Sequence, residues 1–154
     1  MSSATSAAAA KPVEHNDYPA SYLRDILARA RTIAVVGASP DPWRASYGVS
    51  GYLKRKGYRI VPINPTALGQ SVHGEPCRAS LRELLEPVDL VDIFRRPEAV
   101  PEVIEDVIAI GAPAIWMQLG IRHDAACAHA EAAGIAVVMN RCISVEHSRL
   151  FRSP

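Results

Sequence analysis

Apolar residues recur along this chain in two rhythms. Short, mainly apolar runs at 32–37, 58–63, 88–94, 114–118 and 135–139 predict five strands, the third of which, with Asp89 and Asp92, alternates partly. Unbroken apolar character, rather than strict alternation, is what a strand buried on both faces requires. Pro62 has no N–H to give a ladder and so places the second strand at a sheet edge or at a strand end. Between the runs, apolar positions fall three and four apart, which predicts helices. Residues 18–30 carry Tyr22, Leu23, Ile26 and Leu27 on one face, with Ser21 as cap. A second helix runs from a Ser46 cap through Lys56, buries Val49, Tyr52 and Leu53, and is closed by Gly57. A third starts at Pro97, buries Val100, Val103, Ile104, Val107 and Ile108, and ends at Gly111. A fourth spans 122–133, where Ala125, Ala126, Ala130 and Ala133 allow close approach to a sheet. Ser144 caps a last short helix, and Ser80 with Glu83 forms a capping box for another, preceded by a brief extended piece around Val72.

Strands that alternate with helices are βαβ units, and these build a parallel sheet covered on both faces. The expected architecture is α/β: a Rossmann-like three-layer fold with a mostly parallel sheet of five or six strands. Residues 1–17 are small, polar or Ala and are expected to form a flexible tail, leaving 18–154 as one domain. Ligands in such folds bind beyond the carboxyl ends of the strands.

Composition narrows the chemistry. A length of 154 residues fits one domain. Lys and Arg number 17 against 16 Asp and Glu, a net charge of +1, which disfavours a nonspecific nucleic-acid binder. Cys77, Cys127 and Cys142 are odd in number and widely spaced, which disfavours a disulfide-stapled fold and a Cys-rich zinc site. No apolar run reaches the roughly 18 residues of a spanning helix, and the start does not read as a secretory signal. A cytoplasmic protein without a membrane partner is expected.

The strand ends hold the candidate site. Gly37, Ala38 and Ser39 follow the first strand, where backbone donors, a hydroxyl and the next helix N-terminus suit a phosphate. The loop matches neither G-x-G-x-x-G nor G-x-x-x-x-G-K-[ST]. Asn64 and Pro65 stand where a nicotinamide site places an acid for the ribose, and they are equally suited to a plain turn. Arg95 and Arg96 precede Pro97 and could grip phosphates. Arg44, Lys54 and Lys56 are weaker phosphate candidates, and Phe94 suits an adenine or the core equally. Trp116 reads as core; Gln118 and Gly120 form a turn with a ligand-facing option. The five His show no metal-binding spacing, so no metal site is expected, and no catalytic nucleophile stands out.

The ordered segments Val35-Val36-Gly37-Ala38-Ser39, Ser46-Tyr47, Pro62-Ile63-Asn64-Pro65, Phe94-Arg95-Arg96-Pro97, Trp116-Met117-Gln118-Leu119-Gly120 and Met139-Asn140-Arg141-Cys142 carry a resemblance. Over residues 20–150 the chain resembles the small single-domain CoA-binding proteins, which are similar to the nucleotide-binding domain of the succinyl-CoA synthetase alpha subunit. The resemblance implies coenzyme A as ligand, held by Gly37, Ala38, Ser39, Asn64, Pro65, Phe94, Arg95, Arg96, Pro97, Gln118 and Gly120, with Arg44 and Ser46 beside them. Relatives usually read M-D-R-C where this chain has Asn140, so a role copied onto Arg141 and Cys142 loses its acid. The synthetase alpha subunit keeps its phosphorylated His in a further domain, and a complete acyl-CoA synthetase is not expected of these 154 residues. Non-catalytic binding of CoA or an acyl-CoA follows, with a homodimer and an acyl-transfer or synthetase protein as partners to test. The alternatives are an NAD(P)-binding oxidoreductase or redox sensor, and an interaction subunit with a vestigial nucleotide pocket.

Overall fold

The computed structural model describes residues 13–152. In chain order its elements are α1 (Ala20–Arg29), β1 (Thr32–Val36), α2 (Ala45–Arg55), β2 (Arg59–Ile63), β3 (Ser71–Val72), β4 (Glu75–Pro76), β5 (Leu90–Ile93), α3 (Val100–Ile110), β6 (Ala114–Met117), α4 (Asp124–Ala132), β7 (Ala136–Val138) and α5 (Ile143–Leu150). The main sheet has five parallel strands in the order β2-β1-β5-β6-β7, and β3 pairs with β4 as a separate antiparallel ribbon. This is the expected Rossmann-like three-layer arrangement.

Strand residues alternate between two cores. Ala34, Val36, Val91, Ile93, Ile115, Met117 and Val137 meet Val100, Val103, Ile104 and Val107 of α3 and Ala126, Cys127 and Ala130 of α4. On the opposite face Ile33, Val35, Leu90, Trp116 and Val138 meet Leu23, Ile26 and Leu27 of α1, Val49 and Leu53 of α2, and Ile143 of α5. Both faces are covered, which is why the strands read as mainly apolar runs, with Arg59 and Asp92 as the charged exceptions.

Both outer edges are closed. β2 is an edge strand, one of the two placements Pro62 allowed, and the Pro62 carbonyl accepts from Arg78 N at 2.9 Å. At β7, Tyr22 of α1 and Tyr18, just before α1, occupy the backbone. The Tyr22 hydroxyl donates to Val137 O at 2.8 Å and accepts from Val137 N at 2.9 Å; the Tyr18 hydroxyl accepts from Met139 N at 2.8 Å. Burial raises both phenols, Tyr18 to about 12. An edge with occupied backbone groups is a poor template for further strand pairing.

Several local expectations are corrected. Pro19, not Ser21, precedes α1, and its carbonyl accepts from Tyr22 N and Leu23 N. Arg44 precedes α2, and Ser46 lies buried within its first turn. Cys142, not Ser144, precedes α5. Ser80 makes no capping bond, and only a 3-10 turn, Leu81–Glu83, forms there. Pro97 opens a 3-10 turn, Pro97–Ala99, before α3. On α4 the buried face is Ala126, Cys127 and Ala130, while Ala125 and Ala133 are exposed.

The expected tail spans residues 1–17. Its first 12 residues lie outside the described part, but 13–17 pack on the domain. Asn16 accepts from Arg122 through Oδ1 at 2.7 Å and from Arg141 through its backbone carbonyl at 3.2 Å.

Candidate functional site

The chain runs from β1 outward to β2, then returns to place β5 on the other side of β1. The sheet's topological switch point therefore lies between the carboxyl ends of β1 and β5, where an open α/β sheet forms a crevice. Gly37 and Phe94 stand at those two ends. A cleft with two lobes opens there, and both lobes are lined by Gly37, Asn64, Thr66 and Phe94.

Gly37 sits at φ 87°, and a Cβ built on it would lie 2.2 Å from the Phe94 carbonyl oxygen. Only a residue without a side chain allows the two strand ends this close. The Phe94 N–H donates to Val36 O at 2.8 Å, and the Gly37 N–H donates to Ile63 O at 3.0 Å. The three strand ends are thereby locked into one rim.

Asn64 joins the two loops on that rim. Its Nδ2 donates to Ala38 O at 2.7 Å, while its Oδ1 accepts from Thr66 N at 3.0 Å and from Thr66 Oγ1 at 2.7 Å. A carboxylate could accept from Thr66 but could not donate to Ala38. The amide is thus what this rim needs, and the acid of a nicotinamide site is chemically unsuited to the position.

The smaller lobe, about 430 Å³, is lined by Ser39, Arg44, Ala45 and Ser46. Arg44 is exposed beside the N-terminus of α2, where the first N–H groups lack intrahelical acceptors. The loop is internally braced: Ser39 N donates to Ser46 Oγ at 3.0 Å, and Asp41 N donates to Ser39 Oγ at 3.1 Å. Of the backbone donors expected to await a phosphate at Gly37, Ala38 and Ser39, those of Gly37 and Ser39 already have partners. The larger lobe, about 480 Å³, has an apolar floor of Val36, Ile63, Leu81 and Val103, with Pro65, Arg95 and the carboxylates of Glu102 and Asp106 around it. Asp106 is paired with Arg82 Nε at 2.6 Å.

Of the residues singled out in the sequence, Gly37, Ser39, Arg44, Ser46, Asn64, Pro65, Phe94 and Arg95 come together in this cleft. Ala38 is buried beneath it and contributes its carbonyl to Asn64. Arg96, Pro97, Gln118 and Gly120 line neither lobe. Arg96 is exposed before α3. Gly120 N donates to Asn140 Oδ1 at 2.7 Å. Gln118 is turned inward: its amide donates to the fully buried Asp92 carboxyl and its Oε1 accepts from Ile143 N at 3.3 Å. Lys54 is held by Glu75 at 3.2 Å and by the His73 carbonyl, and Lys56 lies over the Tyr52 ring. Arg141 packs over the Tyr18 ring, and Trp116 is core, with Nε1 donating to Arg141 O at 2.9 Å. Cys142 Sγ lies 3.3 Å from Ser144 Oγ.

Sequence reasoning passed over Thr66, Glu102 and Asp106. Thr66 was recoverable as the partner two residues after an Asn in a turn. The two acids sit on α3, and nothing in a helical pattern says which exposed positions meet a strand mouth.

Comparison with known proteins places this geometry in context. The model of the CoA binding domain family matches residues 31–148. The Bacillus subtilis (strain 168) uncharacterised protein YneT is 38% identical over 126 residues, which cover 82% of this chain and 92% of that one. The solved structure of a Thermus thermophilus protein, cell-free ID.343, is 44% identical with a TM-score of 0.83, covering 86% of this chain and 99% of that chain. The dinucleotide-forming acetyl-coenzyme A synthetase 1 of Ca. Korarchaeum cryptofilum is 26% identical with a TM-score of 0.61, covering 69% of this chain and 25% of the synthetase chain.

Proposed function

The chain belongs to the CoA binding domain family, and on that premise we propose that it binds coenzyme A or an acyl-CoA, without catalysis of its own, in the cleft at the ends of β1, β2 and β5. The observation that carries the reading is the cleft's division of labour. Its smaller lobe offers Arg44, the Ser39 and Ser46 loop and the N-terminus of α2, a setting for anionic oxygens. Its larger lobe offers an apolar floor beside Phe94, suited to an adenine, and acceptors at Glu102 and Asp106 for amino or hydroxyl groups. Arg95 reaches the larger lobe and supplies a second cation. The diphosphate then lies over the smaller lobe, and the pantetheine thiol points outward toward an acyl-transfer or synthetase partner.

No helix among the described residues is long and apolar enough to cross a membrane. The Asn64 contacts disfavour NAD, because the position that would hold a ribose-binding acid must donate a hydrogen bond to Ala38.

Calorimetric titration with CoA and with NAD tests the reading. CoA is expected to bind one per chain and more tightly than NAD. Arg44→Ala and Arg95→Ala are each expected to weaken CoA about tenfold, the loss of one charge-assisted contact. Tighter binding of NAD, or no heat with CoA, would overturn it.

A further inference from the structure

Three donor atoms of different chemistry converge where α4 meets the segment before α1. Cys127 and Glu131 stand one helical turn apart on α4, and His15 is laid against them from 112 residues away in sequence. His15 Nε2 is 3.3 Å from Cys127 Sγ and 2.9 Å from Glu131 Oε2, and the three donor atoms lie within 4.8 Å of one another. Cys127 is buried, the His15 side chain is 14% exposed and that of Glu131 is 37% exposed. The thiol forms the floor and the carboxylate the mouth.

This is not the geometry of an activated nucleophile. A thiol–imidazole–carboxylate relay uses both ring nitrogens, one for the thiol and the other for the carboxylate. Here both groups meet the same Nε2, and Nδ1 is bonded to the Tyr18 hydroxyl at 2.7 Å. Three lone-pair donors that face one point suit a cation instead. With metal–ligand bonds of about 2.0–2.3 Å in a tetrahedron, donor atoms lie roughly 3.3–3.6 Å apart. The 3.3 Å separation is at the lower edge of that range and the 2.9 Å one is about 0.4 Å short of it, so the Glu131 carboxylate must draw back by that much to admit an ion. Outer-shell support is also present. Tyr18 fixes the ring through Nδ1, as partners of metal-bound imidazoles do, and is itself anchored by Met139 N.

We propose that His15, Cys127 and Glu131 form a binding site for a divalent transition cation of the zinc class, with water in the fourth position. One sulfur, one nitrogen and one oxygen favour a borderline ion over the hard, all-oxygen sites of magnesium and calcium. Among the described residues no further His, Cys, Asp or Glu joins the cluster, which makes the site open rather than closed. The ion clamps residues 13–17 onto α4 and stabilises the fold by mass action. This site is separate from the strand-end cleft, and the proposal stands whether or not CoA binds there.

The test is titration of untagged, metal-stripped protein with Co²⁺. A single equivalent is expected to produce a thiolate-to-cobalt charge-transfer band in the near ultraviolet and tetrahedral bands in the visible, both bleached by Zn²⁺. Cys127→Ser should abolish the charge-transfer band, whereas Cys142→Ser should keep it. His15→Ala lies outside the sheet and the helices, so its fold is readily checked by circular dichroism; it should weaken cobalt at least about tenfold. No charge-transfer band in the parent, a band that survives Cys127→Ser, or unchanged affinity in a folded His15→Ala would each overturn the proposal.

Discussion

Asp92→Asn should flatten the pH dependence of stability. Asp92 sits in mid-sheet, level with Val35 on one side and Trp116 on the other, and is fully buried. Oδ1 is served by the Gln118 amide; among the described residues Oδ2 has no hydrogen-bond partner. Burial pushes the carboxyl from its ordinary 3.8 up to about 8, against the smaller, lowering effect of the Gln118 hydrogen bond. Between those values the folded chain holds a proton that the unfolded chain has released. The unfolded state binds fewer protons, so stability falls as pH rises, by about 1.4 kcal/mol per pH unit. The contribution is fully present below about pH 4, declines through the neutral range and levels off above about pH 8.

From pH 5 to pH 7 the parent should therefore lose about 3 kcal/mol relative to the variant, a large share of a typical domain's stability. Asn keeps an oxygen for Gln118 and never ionises. Urea unfolding at pH 5, 6 and 7, followed by circular dichroism, measures the difference with little change expected in slope m. His147 acts in the opposite direction. Burial, and secondarily Lys56, lowers its imidazole, so its contribution is lost as pH falls. That effect is common to both proteins and cancels in the comparison. Parallel pH profiles for parent and variant would refute the reasoning.

The remaining predictions concern the rim and the sheet edge. Gly37→Ala should cost at least about 2 kcal/mol, read by thermal or urea unfolding, because its Cβ would lie 2.2 Å from Phe94 O at a φ of 87°. Asn64→Asp should cost about 1–3 kcal/mol by losing the 2.7 Å bond to Ala38 O, and should also weaken CoA by adding a negative charge to the rim. Unchanged unfolding midpoint and CoA heat would contradict the role given to the amide. Tyr22→Phe should cost about 1–3 kcal/mol by orphaning both backbone groups of Val137, with protection of that amide from hydrogen exchange falling accordingly.

The strands, their parallel pairing and the cleft at their ends were legible in the sequence because they rest on local pattern. A run such as 32–36 suits burial on both faces, and Pro62 limits its strand to an edge or its own place to a strand end, between which the tertiary structure chose the edge. Gly37 and Asn64 announced themselves by residue type, since few residues suit a tight strand end and a two-sided hydrogen-bonding turn. Side-chain direction was a different matter. Gln118 and Arg95 both follow strands, yet one turns in to serve a buried carboxyl while the other lines the cleft. Ser46 lies within the first turn of α2 and its hydroxyl serves the Ser39 N–H of a loop rather than its own helix end, because the nearest donor in space is not the nearest in sequence. The His15, Cys127 and Glu131 cluster shows that limit most plainly. Its ligand spacing of 112 residues between His15 and Cys127 carries no periodicity at all. Periodicity fixes which face of an element is apolar; only packing, which joins distant parts of the chain, decides which polar groups meet.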